Sequence, residues 1–317
     1  MFKIGILMDC IESINFKTDS TISIAKSLQN KSTVKLIDPD SVYMESNCVY
    51  GTVNDIYISS LNKCEYKLHK KKKINLNQLD CIFFRKDPPV DHEYITLVQM
   101  IKELEYQNTY IINSPDSLLH FNEKLLGYNL SMPKIPTIIG NNFKEIDNLL
   151  KKHKEIVLKP INLMAGNGII KLKDTKGTSK IIHEYIEKYK IVVAQKFLKE
   201  IKNGDNRIII YNGIVDENVL TRYPSKGEFR ANLACGGRYE ITKIKSKYIP
   251  LLNKIASFLK YHGVFFAGVD MIGKYITEVN ITSPTGIQQI RNRLSIKIAN
   301  ELLKNIKAYN KNIELNE

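Results

Sequence analysis

The chain has 317 residues, 43% of them hydrophobic and 25% charged, with a formal net charge of +14. That length buries a large core and accommodates two or three structural units, and the composition is that of a globular protein with no apolar run as long as a membrane span. Five cysteines, an odd number without a CxxC spacing, exclude a disulfide framework or a zinc finger and imply reduced thiols.

The opening MFKIGILM reads as a buried strand, too soon interrupted by Asp9 for a signal peptide, so a cytoplasmic protein is expected. Ser20 is expected to cap a helix through Leu28, and Val34–Ile37 forms the next strand. Strand, helix, strand at this spacing predicts an α/β unit with a parallel, Rossmann-like sheet. Residues 41–78 hold short alternating stretches and read as an antiparallel edge. The run HKKKK at His69–Lys73 reads as a solvated loop. Cys81–Arg85 is a buried strand that emerges into Lys86-Asp87-Pro88-Pro89. Ligands of open α/β sheets sit beyond the carboxyl ends of strands, so Arg85 and Lys86 are placed to meet an anion. A helix over Glu93–Gln107 and a strand over Tyr110–Asn113 complete this first unit, residues 1–121.

A second unit, 122–198, opens on Asn122-Glu123-Lys124 and an extended connector at Met132-Pro133 and Ile135-Pro136. Phe143–His153 is an amphipathic helix. The strand Ile156–Pro160 leads into a small-residue loop, Met164–Gly168, and the strand Ile169–Leu172. Such a loop can wrap phosphates with its backbone N–H groups, although it is not a Walker loop. Thr178–Tyr189 is a helix and Ile191–Gln195 a strand, from which Gln195–Leu198 departs.

In a third unit, 199–317, Asn212-Gly213 predicts a hairpin turn, and Val219–Tyr223 extends the same sheet. Pro224–Tyr239 reads as a mobile loop offering Arg230 and Arg238 to anions. Ile249–Lys260 and Ile287–Asn305 are helices. Between them Val264–Val269 delivers Asp270, and the returning strand carries Glu278 and Asn280 on one face. Oxygen groups gathered this way suit a hard divalent cation. A plain two-residue turn at Gly273-Lys274 would set Asp270 opposite Thr277, so an odd connection or a bulge is expected. The six histidines are scattered in no catalytic or metal-ligand spacing.

The order FRKDPP (Phe84–Pro89), NEK (Asn122–Lys124), LKP (Leu158–Pro160), DxR (Asp205–Arg207), RANLACGGR (Arg230–Arg238) and GVDMIG…TEVNITSPTGI resembles the ATP-grasp superfamily, and within it the bacterial-type glutathione synthetases, from Lys3 to about Lys304. The resemblance implies two α+β subdomains after the N-terminal domain, with ATP held between antiparallel sheets. It implies a ligase that joins γ-glutamylcysteine to glycine through an acyl-phosphate, releasing ADP and phosphate, in a homotetramer. By motif, Lys124, Lys159, Gly166 and the segment Gln195, Lys196, Phe197, Leu198 would bind ATP. Asp270, Glu278 and Asn280 would hold Mg2+ or Mn2+. Arg207 and Arg222 would stabilise the acyl-phosphate. Arg85, Arg230, Asn232, Ser283 and Thr285 would bind the substrates. The family's phosphate loop reads close to KPLDGMGG, whereas here Leu163 and Ala165 replace glycines, which bears on loop closure and turnover.

Three alternatives stand beside this reading. One is another ATP-grasp carboxylate–amine ligase, which RKDPP and Ser283-Pro284-Thr285 speak against. The second is a degenerate nucleotide-binding protein with a failed phosphate loop. The third is a nucleic-acid-binding protein suggested by the charge; with no RNP-like pattern and lysine spread along the chain, neither nucleic acid nor membrane is expected as a partner.

Overall fold

The structure, a computed structural model, describes residues 1–130, 133–291 and 293–315. In the first sheet the parallel strands β1 (Phe2–Leu7), β2 (Ser32–Ile37), β7 (Cys81–Phe84) and β8 (Tyr110–Ile112) lie in the order β2-β1-β7-β8. The edge beyond β2 is antiparallel, as expected. There β4 (Cys48–Ser60) pairs with β2, β3 (Tyr43–Glu45), β5 (Glu65–Leu68) and β6 (Lys72–Asn75). Helix α1 (Ser20–Leu28) is capped not by Ser20 but by Asp19, whose carboxylate accepts from the Ile22 N–H at 2.7 Å. Ser20 is buried instead, its hydroxyl accepting from the Ile287 N–H. The helix expected over 93–107 is α2 (His92–Lys102), finished by a 3-10 turn and stopped by the left-handed Asn108. Short α3 (Pro115–His120) and α4 (Glu123–Leu130) follow. Met132 of the expected connector lies outside the described residues.

The second sheet is antiparallel, in the order β11-β10-β12-β9, from β9 (Thr137–Gly140), β10 (Glu155–Pro160), β11 (Ile170–Lys173) and β12 (Val192–Lys196). Helices α5 (Phe143–His153) and α6 (Thr178–Tyr189) cover it, with bounds that match the sequence expectation. Apolar side chains between Ile138 and Ala194 form a core of its own.

The third sheet, also antiparallel, runs β15-β14-β13-β16-β17: β13 (Asp205–Tyr211), β14 (Ile214–Tyr223), β15 (Arg238–Lys243), β16 (Phe266–Ile272) and β17 (Tyr275–Asn280). The Asn212-Gly213 turn takes positive φ at both residues (49° and 75°), the conformation that makes Asn-Gly favourable there. Arg238 and Tyr239, expected in a loop, begin β15. Helix α7 (Ile249–Tyr261) packs on the sheet, and α8 (Ile287–Ile290) and α9 (Leu294–Glu314) close the chain. The continuous helix expected from Ile287 is thus interrupted, with positive φ at Arg291 and Arg293. The first and third sheets share two cores. One joins Leu7, Ile82 and Phe84 to Val269 and Val279; the other joins Ile4, Ile22 and Phe83 to Phe266 and Ile298.

Helix α4 packs on β17, and Gly127 makes that approach possible. A Cβ there would lie 2.9 Å from the Glu278 Cα, a backbone atom with nowhere to go. Gly127→Ala is therefore expected to push β17 away, costing about 1–3 kcal/mol in urea denaturation.

Candidate active site

Strand pairing gathers the charged residues of the third sheet on one face. Asp205 lies opposite Arg222, Arg207 opposite Asp270, and Asp270 opposite Glu278. Asn280, two positions beyond Glu278, shares its side. The Asp270–Glu278 pairing is achieved by a bulge. The turn itself is the two residues Gly273-Lys274, since Ile272 pairs with Tyr275 and Met271 with Ile276. Thr277 is then the extra residue that returns Glu278 to register. Of the two expected solutions, the bulge is found and the three-residue connection is not.

Arg207 grips Asp270 with two parallel bonds, Nε–Oδ1 at 2.5 Å and Nη2–Oδ2 at 2.7 Å, and donates through Nη1 to the Thr285 carbonyl at 3.1 Å. Arg222 places Nη2 2.5 Å from Asp205 Oδ2 and 3.0 Å from Asp270 Oδ1. All four side chains are buried. Burial pushes the Asp270 carboxyl up, but Arg207 and Arg222 outweigh it and hold the group down at about 2. Asp205 shows the opposite balance: burial dominates the pull of Arg222 and raises it to about 6. One Asp205 oxygen and the Arg222 Nε are buried without a hydrogen-bond partner. Buried polar atoms left unpaired are costly.

The second sheet faces this cluster. Lys124, at the start of α4, sends Nζ to the Leu163 carbonyl at 2.7 Å, with Glu278 Oε1 at 3.3 Å. Lys159, at the end of β10, donates to Gln195 Oε1 at 3.1 Å; burial lowers its pKa. Between the sheets lies a cleft of about 840 Å³ lined by Lys124, Lys159, Gly166, Asp270 and Glu278 together with Gln195, Lys196, Phe197 and Leu198. A second cavity of about 1210 Å³ is lined by Arg207, Arg222, Asn280, Asp87, Ser283 and Thr285 among others. The two adjoin: Met164, Ala165, Asn232 and Glu278 line both.

Two loops close over the junction. Ala165 has φ 57°, a left-handed conformation that costs a non-glycine residue ~1 kcal/mol, and Gly166 and Gly168 follow at positive φ. The small-residue loop therefore keeps its turn despite the Cβ of Ala165. Arg230, from the 224–237 loop, donates to the Gly166 carbonyl at 3.0 Å and pairs with Glu228 at 2.7 Å. This clasp lies on the cleft side: Arg230, read from sequence as a substrate ligand, lines the first cavity and not the second. Arg230→Ala is expected to leave the fold intact and open both loops, which faster limited proteolysis within 161–169 and 224–237 at an unchanged melting temperature would check.

Arg85 requires a correction. It was expected to meet substrate, yet it is 2% exposed and lines neither cavity. Its guanidinium donates to Thr21 Oγ1 at 3.0 Å and to the Thr282 and Pro284 carbonyls at 3.3 and 3.0 Å. Burial lowers its pKa to about 10. It holds the 282–285 loop from beneath, because the strand-end position that suggested a ligand contact turns the side chain into the core. Lys86 is likewise paired with Asp9.

Two residues with structural weight had no role in the sequence reading. Glu123 Oε1 accepts from the Ile281 N–H (2.7 Å), the Thr282 N–H (2.9 Å) and the Thr282 hydroxyl (2.9 Å). Burial, then the nearby Glu278, raise its pKa. Asp205 is the other. Both lie within the NEK and DxR motifs, next to Lys124 and two positions before Arg207. Among the described residues no cluster of three or more His, Cys, Asp or Glu is placed to hold a metal; two carboxylates and the Asn280 amide make up the oxygen set.

Residues 2–118 match the prokaryotic glutathione synthetase N-terminal domain, and residues 123–295 the prokaryotic glutathione synthetase ATP-grasp domain. The glutathione synthetase of Wigglesworthia glossinidia brevipalpis is 38% identical over 311 residues, covering 96% of this chain and 98% of that one. That of Buchnera aphidicola subsp. Baizongia pistaciae is 36% identical over 307 residues, covering 96% and 95%. Among solved structures, a D-cycloserine synthetase superposes with TM-score 0.69 at 10% identity, covering 96% of this chain and 99% of that chain. The D-alanyl-alanine synthetase A of Vibrio cholerae superposes with TM-score 0.60 at 14% identity, covering 97% and 98%. At these identities the structural likeness establishes the ATP-grasp fold alone.

Proposed function

The chain belongs to the prokaryotic glutathione synthetase family, an ATP-dependent ligase that makes glutathione, and on that premise we propose that its two adjoining cavities divide the reaction between them. The first cavity takes ATP. Phe197, Leu198, Val157 and Ile272 offer apolar walls to adenine, while Lys124, Lys159 and the loop at Gly166 neutralise and enclose the phosphates. The second takes γ-glutamylcysteine and glycine, the latter at Ser283 and Thr285. A carboxylate is a poor electrophile. Phosphorylation of the cysteinyl carboxylate supplies a leaving group, and the glycine amine then displaces phosphate. Arg207 and Arg222 line the second cavity and hold Asp270 and Asp205 of the first, so they would meet the charge that accumulates on the transferred phosphoryl group and then on the oxyanion. The observation that carries this division is the common wall, Met164, Ala165, Asn232 and Glu278.

The residue types present suit a divalent cation, and Asp270, which here accepts from Arg207, Arg222 and Asn280, would have to release one of them to bind it. Asp270, Glu278 and the amide oxygen of Asn280 are hard oxygen donors on one face, too few to enclose an ion by themselves. That is the pattern expected when nucleotide phosphates complete the coordination, with Mg2+ or Mn2+. When bound, such an ion neutralises phosphate charge and polarises the γ-phosphoryl group. The Asn280 Nδ2 already donates to Asp270 Oδ2 (3.3 Å) and the Gly268 carbonyl (3.2 Å), which turns its oxygen the other way.

Three further expectations rest on the family and on sequence. The five cysteines are free thiols, which suits a cytoplasmic enzyme. Among the described residues no helix is long and apolar enough to cross a membrane. A homotetramer is expected, which light scattering checks. The function itself is tested by ADP release with ATP, γ-glutamylcysteine and glycine, each omitted in turn. Release that requires both acceptor substrates supports the reading. Release with D-alanine alone would move the chain to another ATP-grasp activity, and none at all would support the degenerate alternative.

A further inference from the structure

A ligand that carries an ammonium group needs a carboxylate in its pocket, and the second cavity contains one whose job nothing so far explains. Asp87, in the loop after β7, lines that cavity and not the nucleotide cleft. One of its oxygens, Oδ1, accepts from the Ser283 hydroxyl, and its own N–H is fixed to Asp9 Oδ2 at 2.8 Å. Neighbouring charges are committed elsewhere. Lys86 pairs with Asp9, and Arg85 spends its bonds on Thr21, Thr282 and Pro284. Asp87 is thus a partly buried carboxylate with an oxygen to spare, and burial raises its pKa despite Ser283 and Arg85. The other acids of the cavity are occupied: Glu123 by the backbone of 281–282, Glu278 by Lys124.

The substrate's chemistry supplies the match. In γ-glutamylcysteine the reacting carboxylate is on the cysteine, so it belongs at the junction with the nucleotide cleft. The α-ammonium is at the opposite, γ-glutamyl end. Asp87 is not part of the shared wall and lines the same cavity as Asn15 and Thr18 of the loop before α1. We propose that Asp87 receives the α-ammonium of the γ-glutamyl group and is the residue by which the enzyme recognises a free amino-acid end on its dipeptide. This rests on the ligase reading above. The glycine ammonium is the competing guest, because Ser283, which donates to Asp87 Oδ1, is assigned to glycine above, and the KM for glycine separates the two.

The test compares γ-glutamylcysteine with N-glutarylcysteine, which lacks only the ammonium, in wild type, Asp87→Asn and Ser283→Ala. Asparagine keeps an acceptor for Ser283 and removes the charge. Asp87→Asn is expected to lower kcat/KM for γ-glutamylcysteine by about 10- to 100-fold, the worth of a charge-assisted hydrogen bond. Its activity on glutarylcysteine and its KM for ATP and glycine should match wild type. An equal loss on both dipeptides, a raised KM for glycine, or a profile identical to that of Ser283→Ala would overturn the proposal in favour of a loop-positioning role. Asp87→Ser serves as second variant, with thermal melting to verify folding. A wild type that makes no glutathione would instead defeat the ligase reading, so the two failures are distinguishable.

Discussion

Glu278→Gln should lower glutathione synthesis by about two to three powers of ten while the protein melts at or near its wild-type temperature. Glu278 is partly exposed at the common wall and faces Lys124 at 3.3 Å. It is not part of the buried Arg207–Asp270 pair, and the buried Lys124 that it faces loses a carboxylate but keeps the Ile161 and Leu163 carbonyls and a glutamine oxygen in its place. What is lost is an anionic oxygen opposite Asp270. A cation at a phosphoryl group is worth several kcal/mol, and each 1.36 kcal/mol is tenfold in rate. Titration calorimetry with Mg2+ and a non-hydrolysable ATP analogue should show weakened metal-dependent nucleotide binding. Wild-type turnover in this variant would remove Glu278 from the cation site.

Arg207→Met carries the largest expected effect on stability. The Arg207–Asp270 pair is buried, and removing one member strands the other. The cost is about 3–5 kcal/mol in general, and about 3 is expected here because Arg222 still lies 3.0 Å from Asp270. Adding Asp270→Leu should recover much of that loss, since replacing a whole buried ion pair by apolar side chains is often neutral. Activity should remain absent in both. Urea denaturation of the two single variants and the double variant gives the coupling energy directly. A double variant as unstable as Arg207→Met would mean that the pair is not the origin of the loss.

Much of this was readable from the chain because local rules and tertiary needs coincide. Asn212-Gly213 makes a turn that needs two positive φ values, and α5 and α6 begin and end where the amphipathic pattern does. The parity argument at Asp270 and Glu278 worked because a sheet allows only two faces. It could not say where the extra residue sits, since a longer turn and a bulge at Thr277 restore the same parity. Arg85 marks the limit. Sequence placed it at the end of a strand, and it is there. Which way a guanidinium turns depends on carbonyls nearly two hundred positions later, at Thr282 and Pro284. Glu123 is hidden for the same reason, its partner Ile281 lying 158 positions later, whereas Asp205 is only 17 positions from Arg222 and is overshadowed by Arg207 beside it. At the cap of α1, two good capping residues stand side by side, and spacing does not separate Asp19 from Ser20.

The distribution of the cores has a consequence for how the molecule breathes. Side chains of the first and third sheets interlock in two clusters, whereas the sheet made by β9–β12 and its two helices closes a cluster of its own between Ile138 and Ala194. Amide protection should therefore fall into two classes. Protons of β10, β12, α5 and α6 exchange through an opening that leaves the rest intact, while those of β1 and β16, 260 residues apart in numbering but joined through one interior, exchange together near the global unfolding free energy. Nucleotide bound between the sheets would draw the first class toward the second, so the slowing of exchange in α5 and α6 reads out occupancy of the cleft from a helix layer that never touches the ligand.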